Sequence, residues 1–99
     1  EQGGTRPVII VSRDVISISS SVVLAVPCTT YKPFKRIYPT QVLIKAPDGG
    51  LDKDSIAMAD QVRVLSKTRF LSLRGKLSED TLAQLDRALS IALDLPGQD

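Results

Sequence analysis

Histidine and tryptophan are absent from this chain, cysteine occurs once, as Cys28, and aromatic residues make up only 4%. Without imidazole, histidine metal sites, imidazole-based nucleophile triads and paired-histidine acid–base catalysis are excluded. A lone cysteine removes the usual zinc patterns and any internal disulfide. It favours a reducing compartment, which points to the cytoplasm. With so few aromatic rings the core must be aliphatic. No apolar run approaches the roughly 20 residues that span a bilayer. No basic segment followed by an apolar one marks a signal peptide at the start as given. Catalysis, if present, falls to Arg, Lys, Thr, Ser, Tyr or carboxylates.

What is there suits one modest domain of 99 residues, 42% apolar and 24% charged. Net charge is +2. It is unevenly spread: residues 1–38 hold Arg6, Arg13, Lys32, Lys35 and Arg36 against Glu1 and Asp14, and the remainder is slightly acidic. The positive excess therefore lies in the loop-rich first third.

The chain begins with Glu1 to Ser12, EQGGTRPVIIVS. Glu1, Gln2, Thr5 and Arg6 offer polar groups, Gly3 and Gly4 free the backbone, and Pro7 stiffens the approach to a strand over Arg6–Ser12. A flexible acidic loop with an arginine at its exit and a rigid strand behind can hold a catalytic cation still. The plainer reading is a glycine turn before an edge strand. Arg13–Ser21 reads as a polar loop. Val22–Pro27 is a second strand, whose end is disturbed by Pro27 and the Thr29-Thr30 hydroxyls. Tyr31–Pro39 interleaves Tyr31, Phe34 and Tyr38 with Lys32, Lys35 and Arg36, and two prolines make it a loop. Thr40–Ile44 is a third strand, and Ala46–Asp54 is turn chemistry.

Ser55–Ala59 and Gln61–Leu65 are two short strands or one bent strand, with Asp60 between. Ser66 caps a single turn through Phe70, and Leu71–Leu77 reads as a last short strand. Ser78 then caps a helix whose first turn carries Glu79 and Asp80. Leu82, Leu85, Ala88, Leu89, Ala92 and Leu93 give it an apolar stripe, and Pro96-Gly97 ends it. Strands followed by one long helix predict an α+β, mainly β domain over residues 1–99. Its small antiparallel sheet is curled or barrel-like, with the helix against one face or end.

Arg6 is the best catalytic candidate, because a guanidinium stays charged and offers a planar fork for a phosphate. Against RNA it can stabilise charge growing on a scissile phosphate. It is a poor acid and a worse base, so a 2′-hydroxyl proton should go elsewhere, with Glu1 a candidate acceptor. Otherwise Arg6 is a surface arginine at a strand start. Thr29 and Thr30 can donate to a phosphate oxygen or make strand-end turn bonds. The Tyr31–Tyr38 loop has the composition of a single-stranded nucleic-acid binder; alternatively Phe34 packs in the core and the lysines are merely solvated. Cys28, with no imidazole to activate it, reads as a small apolar residue. Asp60, Gln61 and Arg63 read as a buried polar network or a support for the site.

EQGGTRPVIIVS, VPCTT, SIAMADQVRVLSKTR and LRGKLSEDTLAQLDRAL, in that order and spacing, resemble the MazF/PemK family of toxin ribonucleases. The resemblance runs from Glu1 to about Leu93. It implies an SH3-like, partly open antiparallel barrel with a C-terminal helix, working as a homodimer. It implies cleavage of single-stranded RNA at short motifs, with no metal or other cofactor. The 2′-hydroxyl attacks the adjacent phosphate, leaving a 2′,3′-cyclic phosphate and a 5′-hydroxyl. The catalytic residues carried over are Arg6, Thr29 and Glu1; Gln2, Thr30, Lys32, Lys35 and Arg36 are the expected RNA contacts. A cognate antitoxin with an acidic, largely extended segment is the implied partner. Family members carry more residues before the EQ motif, including a first barrel strand. This predicts that the natural protein is longer, and that a 99-residue form is unstable or inactive. Two other readings stay open: a gyrase-poisoning toxin of the CcdB type, and an inert barrel that binds RNA or an antitoxin.

Overall fold

The structure is a computed structural model that describes residues 6–11, 19–69 and 75–94. Its organising strand is β2, Val22–Thr30, which is paired along both edges. One edge carries β1, Val8–Ile10, in an antiparallel register that sets Val8 opposite Pro27 and Ile10 opposite Ala25. The other edge carries two strands in succession. β4 (Ser55–Met58) pairs with Cys28–Thr30, and β5 (Arg63–Ser66) pairs with Val22–Ala25. β3, Gln41–Ile44, adds to the outside of β4. Every pairing is antiparallel.

β2 runs through Pro27, where the sequence suggests that it ends. Hydrogen bonds show why this is tolerated. Val11 N–H donates to Leu24 O at 2.9 Å, and Cys28 N–H donates to Pro7 O at 3.1 Å. The even-numbered residues of β2 therefore turn their amide groups toward β1. The Pro27 nitrogen points to the opposite edge. There it falls between the last β5 pair, Ala25–Arg63, and the first β4 pair, Cys28–Ala57. No donor is needed in that gap, so proline costs the sheet no hydrogen bond. A 3-10 turn over Ala59–Gln61 separates β4 from β5. The expected break at Asp60 in a bent strand is thus present. Asp60, Gln61 and Arg63 are exposed, so they form no buried polar network.

The core is aliphatic. Val26, Cys28, Val42, Ile44, Leu51, Ala57 and Ala59 of the sheet and its turns meet Leu85 and Ala88 of α1, Glu79–Ala92. Ser78 caps this helix, its Oγ accepting from Thr81 N–H at 3.2 Å. The buried stripe differs from the expected one. Leu82 and Leu93 are exposed, whereas Thr81 is buried. Asp48, from the turn after β3, meets the buried Thr81 hydroxyl. Its carboxylate accepts from Ser78 N–H at 2.8 Å, from Ser78 Oγ–H at 3.0 Å and from Thr81 Oγ1–H at 2.6 Å. The helix is rotated so that its first buried residue serves this carboxylate, and burying a hydroxyl there is offset by the bond it makes. Gly49, at φ +67°, lets the turn close beneath Leu77.

Other boundaries shift. The first strand covers only Val8–Ile10 of the expected Arg6–Ser12, and Ser12 lies outside the described residues. The Arg13–Ser21 loop reading falls mostly outside them too. Ser66 Oγ accepts from Thr68 N–H at 3.3 Å above a 3-10 turn over Lys67–Arg69, and Phe70, where the expected turn ends, lies outside the described residues. Of the expected Leu71–Leu77 strand, Leu71–Arg74 lie outside the described residues, and Gly75–Leu77 form no strand.

The Thr81 hydroxyl first, and then the Ser78 amide, hold the Asp48 carboxyl below its ordinary value. A carboxyl lowered on folding stabilises the fold above its unfolded value, near about pH 4, and that contribution disappears as pH falls through the folded value. Asp48→Asn should therefore melt at a lower temperature near neutrality and show a flatter acid limb in a pH series of thermal melts. A variant with the parent's melting temperature and acid slope would refute this role.

Candidate active site at the end of the central strand

The β1–β2 register decides where the candidate residues stand. Pro7 lies opposite Cys28 and contributes only its carbonyl, having no amide hydrogen. A residue before proline favours extended backbone, so Arg6 carries the line of the strand one step further. Continued by that step, the register would place position 6 opposite position 29. Hydrogen bonds link Pro7–Cys28 and Val11–Leu24, so by the same alternation a 6–29 pair would be a non-hydrogen-bonded one. At such positions the Cα atoms approach to about 4.5 Å and the two side chains share one face. Arg6 is exposed and Thr29 half-buried. On its other edge Thr29 is paired with Ile56, and Thr30 with Ser55, so the backbone of both threonines is fixed by β4.

Immediately beyond Thr30 the chain enters the aromatic-basic loop. Tyr31 N–H donates to Asp54 O at 2.9 Å at its start. At its end, Gln41 N–H donates to Tyr38 O at 2.9 Å and Gln41 Oε1 accepts from Tyr38 N–H at 3.0 Å. Lys32, Lys35 and Arg36 are exposed. The Arg36 guanidinium lies 5.2 Å from the centre of the Tyr38 ring, within cation–π range. Phe34 is exposed and takes no part in the core. Gln41 is the supporting residue that sequence reasoning missed. Its one signal was a side-chain amide placed just after the Pro39-Thr40 corner.

Arg6 and Thr29 each follow the Pro7–Cys28 hydrogen bond by one residue on neighbouring segments, with Thr30, Lys32, Lys35 and Arg36 continuing the chain beyond Thr29. Glu1 and Gln2 lie outside the described residues. Among the described residues, no three His, Cys, Asp or Glu side chains gather as a metal site requires. Cys28 neighbours Thr29 in sequence but turns to the opposite face, into the core, and is 1% exposed. Burial pushes its thiol up to about 11, so the thiolate that reacts is scarce. A thiol reagent at neutral pH should leave Cys28 unmodified in the native protein and label it after unfolding. Prompt labelling of the native state would contradict this placement.

With this geometry in place, the relatives fall into line. The family profile of "PemK-like, MazF-like toxin of type II toxin-antitoxin system" matches residues 1–93, and the chain belongs to this family. It is 37% identical to Endoribonuclease MazF9 of Mycobacterium tuberculosis, over 96% of this chain and 83% of that protein. Among solved structures it is similar to a mycobacterial endoribonuclease in complex with its cognate antitoxin. That likeness has a TM-score of 0.82 and 29% identity, over 95% of this chain and 85% of the other. It is also similar to the Mycobacterium tuberculosis toxin MazF-mt6, with a TM-score of 0.79 and 28% identity, over 91% and 87% of the two chains. The expected fold class is thereby borne out: a mostly antiparallel, open sheet with one C-terminal helix.

Proposed function

We propose that this chain is a toxin endoribonuclease that cuts single-stranded RNA at short sequence motifs without a metal ion. The 2′-hydroxyl attacks the adjacent phosphorus, and its proton passes to the Glu1 carboxylate. The bond from phosphorus to the 5′-oxygen breaks, and that oxygen takes a proton from solvent. The products are a 2′,3′-cyclic phosphate and a 5′-hydroxyl. Arg6 stays charged throughout and offsets the negative charge gathering on the non-bridging oxygens. Thr29 donates its hydroxyl to the same phosphate and fixes its position. Gln2, Thr30, Lys32, Lys35 and Arg36 hold the flanking strand. The observation that supports this reading is the β1–β2 register, which pairs Val8 with Pro27, is extended by the Cys28–Pro7 hydrogen bond and runs on toward Arg6 and Thr29, within a family of toxin ribonucleases.

A homodimer fits the exposed apolar side chains of Val22, Leu24 and Val64, which share one face of the β2–β5 pair. A cognate antitoxin with an acidic, extended segment fits the basic first third of the chain, and one structural relative is solved with its own antitoxin. The lone cysteine suits action in the cytoplasm.

Incubation with a long single-stranded RNA in EDTA tests the chemistry. Fragments ending in 2′,3′-cyclic phosphate and 5′-hydroxyl are expected. Arg6→Ala and Thr29→Ala should each slow cleavage on the order of 100-fold or more, the usual loss when one charge-stabilising donor is removed. Fragments with 5′-phosphate ends, a strict need for a divalent ion, or gyrase inhibition without RNA cleavage would overturn the reading.

A further inference from the structure

The loop between β2 and β3 is built to present one side chain. Lys35 N–H donates to Lys32 O at 2.9 Å, which closes a four-residue turn over Lys32-Pro33-Phe34-Lys35. Pro33 occupies the second position, where its fixed φ preorganises the turn. Phe34 then falls at the corner. It is 100% exposed, with no protein surface against its ring. The turn is not loosely hung. Tyr31 is tied to Asp54 on one side, and Tyr38 is tied twice to Gln41 on the other. Nothing in the fold requires an aromatic ring here. Lysines flank it at Lys32 and Lys35, both exposed. Phe34 lies five positions after Thr29, so chain length keeps their Cα atoms within roughly 18 Å.

We infer that Phe34 is a stacking platform for an unpaired nucleobase of the RNA substrate, a few nucleotides from the phosphate cut at Arg6 and Thr29. This rests on the endoribonuclease reading above. Flanking ammonium groups meet the phosphates while the ring takes the base face, the arrangement by which single strands are gripped without base pairing. Because the turn is already closed in the free protein, little ordering is needed on binding. Stacking on Phe34 adds to substrate affinity and to the choice of cutting site, and leaves the bond-breaking step to Arg6 and Thr29.

The test compares the parent protein with Phe34→Ala, Phe34→Leu and Phe34→Trp on one long single-stranded RNA. Phe34→Ala and Phe34→Leu should raise KM roughly 5- to 100-fold, with kcat and melting temperature unchanged and a broadened set of cut sites. Phe34→Trp should restore the parent KM. The chain has no tryptophan of its own, so the introduced ring is also a clean reporter. In a Thr29→Ala background its fluorescence should be quenched by single-stranded RNA and not by a fully paired duplex. If the parent cleaves RNA while Phe34→Ala keeps its KM and cut sites, or if the introduced tryptophan ignores single-stranded RNA, the stacking role is refuted and the nuclease reading stands. If the parent cleaves no RNA, both fall.

Discussion

One nine-residue strand has to satisfy two different registers at once, and the rest of the molecule follows from how it does so. β2 holds β1 on one edge without interruption. On the other it changes partner, from β5 to β4, at a proline whose missing amide hydrogen faces the point of exchange. Pro27 does not break the strand, because it sits at the one place where the ladder is already broken. That lets the same strand curl from one half of the sheet into the other while its far end still emerges in line with Pro7 and Arg6.

The candidate site is a product of that arrangement rather than an ornament on it. Arg6 belongs to an edge segment with a short strand behind it; Thr29 belongs to the best-fixed strand of the fold. The β1–β2 register, continued past Pro7, would bring position 6 opposite position 29, and β4 fixes the threonine from the far side. The strand's next residues become the basic loop, so Thr29, Thr30, Lys32, Lys35 and Arg36 are arranged along one continuous piece of backbone. Cys28, one residue before Thr29, is consumed by the core. Alternation along the strand thus turns Cys28 into the core and leaves the adjacent Thr29 half-buried on the other face. The helix stays apart from this work. Its N-terminus is anchored through Ser78 and Thr81 to Asp48, in the turn after β3.

Much of this was legible in the sequence because it depends on local pattern. The Ser78 cap, the turn at Asp48–Gly50, the interruption at Asp60 and the loop from Tyr31 are each set by a few neighbouring residues. The errors lie where a distant residue intervenes. Thr81 stands in the buried stripe where Leu82 was expected, its hydroxyl bonded to a carboxylate more than 30 residues earlier. Proline was read as an end to β2 because the sequence does not reveal which edge a missing donor faces. The candidate pair was named through resemblance to a family, whereas its facing arrangement required the register. Composition leaves open whether Phe34 packs inside or stands outside; the Lys32–Lys35 turn places it outside the core.

The facing of positions 6 and 29 is therefore the claim to test first. Arg6→Cys and Thr29→Cys, together in a Cys28→Ala background, place two thiols at a non-hydrogen-bonded cross-strand pair, a separation that a disulfide spans without strain. Mild oxidation should bridge them rapidly within one chain, and the same treatment of Arg6→Cys with Thr30→Cys should not. Bridging of the shifted pair, or none between 6 and 29, would mean that the guanidinium and the hydroxyl do not share a phosphate.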